Sequence, residues 1–227
     1  MEVIRTAGLE KVYEDNALPV HALRGIDLTI NKGEFLVIAG PSGSGKTTLL
    51  NIIGALDMPT RGSVYLENEN LSRKTKNELA SFRLHKIGFV FQAYNLIPVL
   101  SALENVEFTM MLLGISEKKR KEKAFAIMRE LGIEELAHKR PNEMSGGQQQ
   151  RVAVARAIVT NPSIVLADEP TANLDSDTGG ALLDLMEQMN TERNITFVFS
   201  SHDHQVIERA KRLVILRDGA VAKEEKA

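Results

Sequence analysis

The residues best equipped for chemistry lie in one short run: Gly40, Pro41, Ser42, Gly43, Ser44, Gly45, Lys46, Thr47 and Thr48. The pattern Gly-x4-Gly-Lys-Thr is that of a phosphate loop. A polyphosphate needs many donors converging at close range. Glycines let backbone N–H groups approach it and accept positive φ. The helix N-terminus that follows adds partial positive charge. Lys46 is expected to reach the β- and γ-phosphates as a point charge, and the Thr47 hydroxyl to bind Mg²⁺. The expected ligand is therefore ATP with Mg²⁺. A flexible Gly/Ser turn would use similar residue types, and the flanks separate the two readings. Phe35–Ala39 is a continuous apolar run before the loop, and Leu49, Leu50, Ile52 and Ile53 form an apolar helix face after it.

A second candidate is the acidic pair in Ile164-Val-Leu-Ala-Asp168-Glu169-Pro170. Ligands of parallel sheets sit beyond the carboxyl ends of the strands. Two carboxylates there can divide the work: Asp168 to hold Mg²⁺ through water, Glu169 to act as general base. Alone, such a pair is an ordinary strand-end loop; an upstream phosphate loop gives it a purpose.

A third candidate is Ser145-Gly146-Gly147, another glycine-rich turn, ahead of a helix expected over Gln148 to Val159. It is either a second anion-binding helix end or a plain serine cap with a glycine hinge. As an anion site it gives one chain two phosphate-seeking ends.

These residues need a scaffold, and the chain has the means to build one. Its 227 residues suit one large domain or a core with an insert. Hydrophobic residues make up 43% and charged residues 26%, an ordinary globular balance. The net charge of -2 gives no basic field for nucleic acid. With no cysteine, disulfides and thiolate metal sites are excluded, which fits a reducing compartment. The N-terminal residues carry no basic segment followed by an apolar run, so no signal peptide is expected. No apolar stretch approaches the ~20 residues of a membrane span.

Apolar runs alternating with helical patterns predict an α/β fold. Leu23–Ile30 alternates as a half-buried strand and Asn31–Gly33 reads as a turn. Further strands are expected at Val64–Leu66, Ile87–Phe91, Ile164–Ala167, Thr196–Phe199 and Leu213–Leu216. Leu103–Leu113 and Glu117–Leu131 have helical spacing, the second with Ala124, Ile127, Met128 and Leu131 on one face. The charged run Glu117–Lys123 is read as a solvated face. Residues 93 to 159 are thus expected to be a helical insert, and Ala220–Ala227 a short strand followed by a solvated tail.

Met144-Ser145-Gly146-Gly147-Gln148 resembles the signature of ATP-binding cassette (ABC) ATPases. The ordered set around it resembles that family too: phosphate loop, Gln92 at a strand end, signature, acidic pair, Asn173-Leu174-Asp175 and His202. The resemblance runs from Tyr13 to about Gly219. It implies a phosphate-loop NTPase with a RecA-like α/β core, an antiparallel β subdomain and an inserted α-helical subdomain. One ABC domain would span 1–227, with 1–92 and 160–227 as catalytic core and 93–159 as the helical part. It implies ATP hydrolysis in a head-to-tail homodimer, each ATP between one subunit's phosphate loop and the other's Ser145, Gly146, Gly147 and Gln148. By the same resemblance Tyr13 stacks on adenine. Gln92 touches Mg²⁺ or the water, His202 contacts the γ-phosphate, and Asp175 links the two sites. His21, His85, His138 and His204 match no slot. Met144 for the usual Leu, Thr47 for Ser, and Ala172-Asn173 before Leu174-Asp175 are small departures, and no catalytic position is lost.

Gly88–Val106, Met144–Ala157 and Asn51–Asp57 resemble the lipoprotein-releasing and macrolide-exporting branch. That branch also holds peptide-antibiotic pumps and a cell-division ATPase that controls wall hydrolases. The implied partner is an integral membrane permease or transducer, docked near Phe91, Gln92, Tyr94, Leu96, Ile97 and Val99. The implied location is cytoplasmic, on the inner face of the membrane. A regulatory ATPase driving a non-transporting partner stays open. Cassettes of DNA repair fit worse, since they carry coiled coils or zinc modules.

Overall fold

The computed structural model describes residues 1–14 and 18–226. A long hairpin comes first, β1 (Glu2–Glu14) against β2 (Pro19–Asn31), followed by β3 (Phe35–Ala39) and α1 (Lys46–Ile53). Next come β4 (Arg61–Leu66), β5 (Glu69–Asn70), α2 (Lys76–Lys86) and β6 (Ile87–Phe91). Three helices follow: α3 (Ala102–Leu112), α4 (Glu117–Glu130) and α5 (Gly146–Ile158). The chain then runs through β7 (Ile164–Asp168), α6 (Ser176–Arg193), β8 (Phe197–Ser201), α7 (His204–Glu208), β9 (Arg212–Arg217) and β10 (Ala220–Lys226).

Two sheets result. The four-stranded one has the order β2-β1-β4-β5 and is antiparallel. The six-stranded one has the order β10-β9-β3-β8-β7-β6, parallel except for β10. Its central strands are apolar on both faces, which is why β3 reads as a continuous run. Phe35, Val37, Phe197 and Phe199 point to one face and join a core with the inner sides of α3, α4, α5 and α6. Leu36, Ile38, Leu166 and Val198 point to the other and join α1 and the antiparallel sheet. Phe35 and Phe199 pack with ring centroids 4.6 Å apart. Arg212 ties the sheets together: it donates to Thr29 O at 2.6 Å and to the carboxylate of Glu34 at 2.7 Å, and pairs with Glu224 at 3.0 Å.

The expected strands correspond to β2, β3, β4 and β6 to β9, with Thr196 falling just outside β8, and the expected helices match α1, α3, α4 and α5 to within two residues. Ala124, Ile127, Met128 and Leu131 are all buried, as their spacing requires. Strand β1 and helices α2, α6 and α7 have no counterpart among the sequence expectations. The C-terminal expectation is corrected. No solvated tail follows the last strand among the described residues, because β10 pairs with β9 from Ala220↔Arg217 to Lys226↔Arg212. Main-chain pairing there needs no apolar side chains.

Candidate nucleotide site

Four parallel strands deliver their C-terminal ends to one line. Phe91 is level with Asp168, Asp168 with Ser200, and Ala39 with Ser201. The next residues are therefore neighbours: Gln92 after β6, Glu169 after β7, His202 after β8 and Gly40 after β3.

The phosphate loop is closed in by backbone. Gly40 has φ 149, and a Cβ there would lie 2.2 Å from Leu216 O. A Cβ at Gly45, φ 100, would lie 2.5 Å from Ala22 O. No side chain caps α1, which starts from Gly45 in the left-handed region. Its first N–H groups are left for an outside acceptor. Lys46 is buried and donates to Gly40 O at 2.8 Å and Pro41 O at 3.1 Å, with no ion pair among the described residues. The Ser44 hydroxyl is buried without a hydrogen-bond partner among the described residues. An unpaired ammonium, an unpartnered hydroxyl and an uncapped helix end make a cradle suited to polyphosphate.

The Thr47 hydroxyl donates to Asp168 Oδ1 at 3.2 Å. Glu169, with φ 46, donates its N–H to Ser200 O at 2.9 Å. One carboxylate oxygen lies 2.7 Å from His202 Nδ1, and the other accepts from Ser201 Oγ at 3.2 Å. Gln92 is exposed, and its carbonyl accepts from Asn173 Nδ2 at 3.0 Å.

A cleft of about 300 Å³ runs from the loop to Tyr13, with Gly43, Gly45, Lys46, Thr47 and Thr48 along it. The Tyr13 hydroxyl donates to Asp57 Oδ2 at 2.9 Å, and Lys11 Nζ sits 4.8 Å from its ring centroid. Burial pushes the Tyr13 hydroxyl above its ordinary value, against a Thr48 hydrogen bond that pulls it down. Burial raises Asp57 too, but hydrogen bonds from Lys11, Tyr13 and the Met58 N–H outweigh it and hold the carboxyl below its usual value. His21, given no role from sequence, lines the same cleft. Nothing in its residue type signals this, since the β1–β2 hairpin brings it there.

The other glycine turn lines a different pocket, of about 260 Å³, that shares no residue with this cleft. Ser145 caps α5, accepting from Gln148 N at 3.3 Å, while Gln148 Oε1 accepts from Ser145 N at 2.9 Å. A Cβ at Gly147 would lie 2.3 Å from Thr178 Cγ2, and one at Gly146 2.7 Å from the Tyr94 hydroxyl. Asp175 caps α6, accepting from the Thr178 N–H at 2.9 Å and from its hydroxyl at 2.7 Å. Those two bonds, the backbone one first, hold its carboxyl below the ordinary value. Ser145, Gly146, Gly147, Gln148 and Asp175 thus form a second group, joined through Thr178 and lining none of the cleft at Lys46.

The apolar residues expected to cluster near Gln92 do not form one patch. Leu96 packs on the helical core, Tyr94 turns to Gly146, and Val99 is 74% exposed. Phe91 instead joins Leu56, Leu84, Phe89, Leu112 and Arg156 around a groove of about 640 Å³ between α2, β6, α3 and α5.

The family model described as ABC transporter matches residues 23–172. The chain belongs to the ABC transporter family. This ABC chain is an ATP-binding cassette, an ATPase. It is 45% identical over 99% of its length to an uncharacterized ABC transporter ATP-binding protein, MJ0796 of Methanocaldococcus jannaschii, covering 97% of that protein. Two solved structures of MJ0796 superpose with a TM-score of 0.91, at 44% identity and 98% coverage of each chain. Their descriptions name a dimeric ABC transporter cassette and a dimeric post-hydrolysis state bound to ADP and Pi. The lipoprotein-releasing system ATP-binding protein LolD of Pseudoalteromonas translucida is 40% identical, over 96% of this chain and 94% of that one. The macrolide export ATP-binding/permease protein MacB of Syntrophobacter fumaroxidans is 42% identical over 99% of this chain, which corresponds to 32% of MacB.

Proposed function

We propose that this cassette binds MgATP in the cleft between Tyr13 and Thr48 and hydrolyses it with Glu169 as general base. The observation that carries the reading is the line of strand ends, which sets Gln92, Asp168, Glu169 and His202 beside the phosphate loop. Tyr13 offers its ring to adenine, and the N–H groups of Gly40 to Thr48 with the Lys46 ammonium take the phosphates. Glu169 accepts the proton of the attacking water, its carboxylate held by Ser201 and His202. His202 also lies ready for the γ-phosphate.

Magnesium fits the donor set. No cluster of three or more His, Cys, Asp or Glu suited to a metal exists among the described residues. A hydroxyl and one carboxylate 3.2 Å apart suit an ion that takes its remaining ligands from phosphates and water. Thr47, Asp168 and Gln92 would hold it, and it would neutralise phosphate charge.

The separation of the two glycine turns supports a head-to-tail pair, with Ser145, Gly146, Gly147 and Gln148 of one copy, aided by Asp175, closing over the phosphate loop of the other. That the MJ0796 cassettes are dimeric supports pairing of two copies. We divide the chain into a core of 1–92 and 160–227 and a helical part of 93–159. The groove at Phe91 and Arg156 receives a membrane permease or transducer. No helix among the described residues is long and apolar enough to cross a membrane. The cassette would then act from the cytoplasmic face, on a partner of the lipoprotein-releasing or macrolide-exporting kind. The test is Glu169→Gln. It should bind ATP, lose hydrolysis and elute as a dimer in size exclusion with ATP. A strictly monomeric elution would sink the paired arrangement.

A further inference from the structure

Gln150 has no role in the scheme above, yet it sits where its parts meet. It lies on α5, one and a half turns after Ser145, and is fully buried. Its amide nitrogen donates to Pro170 O at 2.7 Å and to Phe91 O at 3.3 Å. The first carbonyl follows Glu169 directly; the second precedes Gln92. A single amide thus bridges the general base, the strand-end glutamine and the helix that starts at the second glycine turn. Its Oε1 is buried with no partner among the described residues, so packing economy does not explain a polar residue here. A glutamine half-satisfied in a core costs stability.

The surrounding backbone is gripped in the same way. Arg156, further along α5, donates to Tyr94 O at 2.9 Å and to Asn95 O, while Asn173 holds Gln92 O. Tyr94 and Asn95 have φ of 57 and 50, a left-handed shape that side chains rarely adopt unaided. The conformation of this segment is imposed by its neighbours, and α5 supplies most of them.

We propose that Gln150 is a positioning residue that makes the signature turn and the hydrolytic groups of one chain move as a unit. A nucleotide closing on Ser145 then shifts α5, and Gln150 carries the shift to Pro170 and Phe91, setting Glu169 and Gln92. Each ATP would thereby report its presence to the opposite site. The inference rests on the head-to-tail reading.

Three variants test it. Gln150→Met keeps the volume but takes the side-chain donor from the buried Pro170 O and leaves Phe91 O with the Tyr94 N–H. It should lower kcat by about tenfold to a hundredfold with KM within about twofold. Gln150→Ala opens a polar gap that a water can fill, bridging both carbonyls, and should retain more activity than Met. A pure packing role predicts the reverse order, because Met fills the space and Ala does not. Finding Met equal to or better than Ala overturns the assignment. The third arm is a double-mutant cycle on kcat with Ser145→Ala. If Gln150 carries the signal, the pair loses less than the product of the single losses; multiplicative losses overturn the link. Should Glu169→Gln fail to dimerise with ATP, the paired arrangement falls, while the order of Ala and Met still decides what Gln150 does within its own chain. Thermal unfolding confirms that each variant is folded.

Discussion

Helices α1 and α5 both begin on glycine-rich turns, and they are finished differently. At α1 the cap is Gly45 in the left-handed region, and no side chain meets the first N–H groups. Strand backbones press on the turn from two sides, at Leu216 and Ala22. At α5, Ser145 and Gln148 satisfy each other in a closed capping box. The first turn leaves its N–H groups open to an outside acceptor. The second has its Ser145 and Gln148 N–H groups occupied from within, so an incoming phosphate must compete with the serine for the Gln148 N–H. In the proposed pair, the phosphates of one ATP would meet unlike surfaces, one uncapped and one partly self-capped.

That contrast can be broken at several points. The largest effect is expected at Glu169→Gln, with turnover down by about 10²–10⁴-fold and ATP binding kept, read by phosphate release and a binding titration. Lys46→Ala removes the buried ammonium of the uncapped turn and should lower kcat/KM by about a hundredfold or more; near-normal turnover would overturn the assignment of the loop. Tyr13→Ala should raise KM for ATP by about five- to a hundredfold through lost stacking, leaving kcat nearly unchanged. The smallest effect tests the self-cap directly. Ser145→Ala deletes a cap worth about 1 kcal/mol, so a fall of a few degrees in Tm is expected. No loss of Tm would mean that the capping box does not hold α5 closed. The α1 turn has no such side-chain cap to lose.

The legible parts of the molecule were those written in short range. The loop, the acidic pair and the buried strands β3 and β7 each announce themselves in five to nine neighbouring residues. Helix α2 has a capping box of Thr75 and Glu78 but buries only Leu79, so no apolar stripe marks it in the sequence. Helix α6 begins with Gly179 and Gly180 in its first turns, which reads as a breaker, and Asp175 was noticed as a site residue rather than as its cap. Strand β1 is irregular against β2, with register shifts between Thr6 and Leu9 that spoil its alternation. The roles of His21 and Gln150 were out of reach, since each depends on segments far away in sequence: for Gln150, Phe91 lies 59 residues off.

Glu169 carries one more consequence. Its backbone, at φ 46, lies where a branched or bulky side chain is disfavoured and Gly or Asn is at ease. If Glu169 is the general base, the position sets folding against turnover. A library randomised at 169 and screened only for thermal resistance should therefore be enriched in Gly and Asn, and every such winner should be inactive. Enrichment of Glu under that screen would mean that its bonds to Ser201 and His202 outweigh the unfavourable backbone. With selection for hydrolysis lifted, position 169 is therefore expected to drift toward Gly or Asn before its neighbours do.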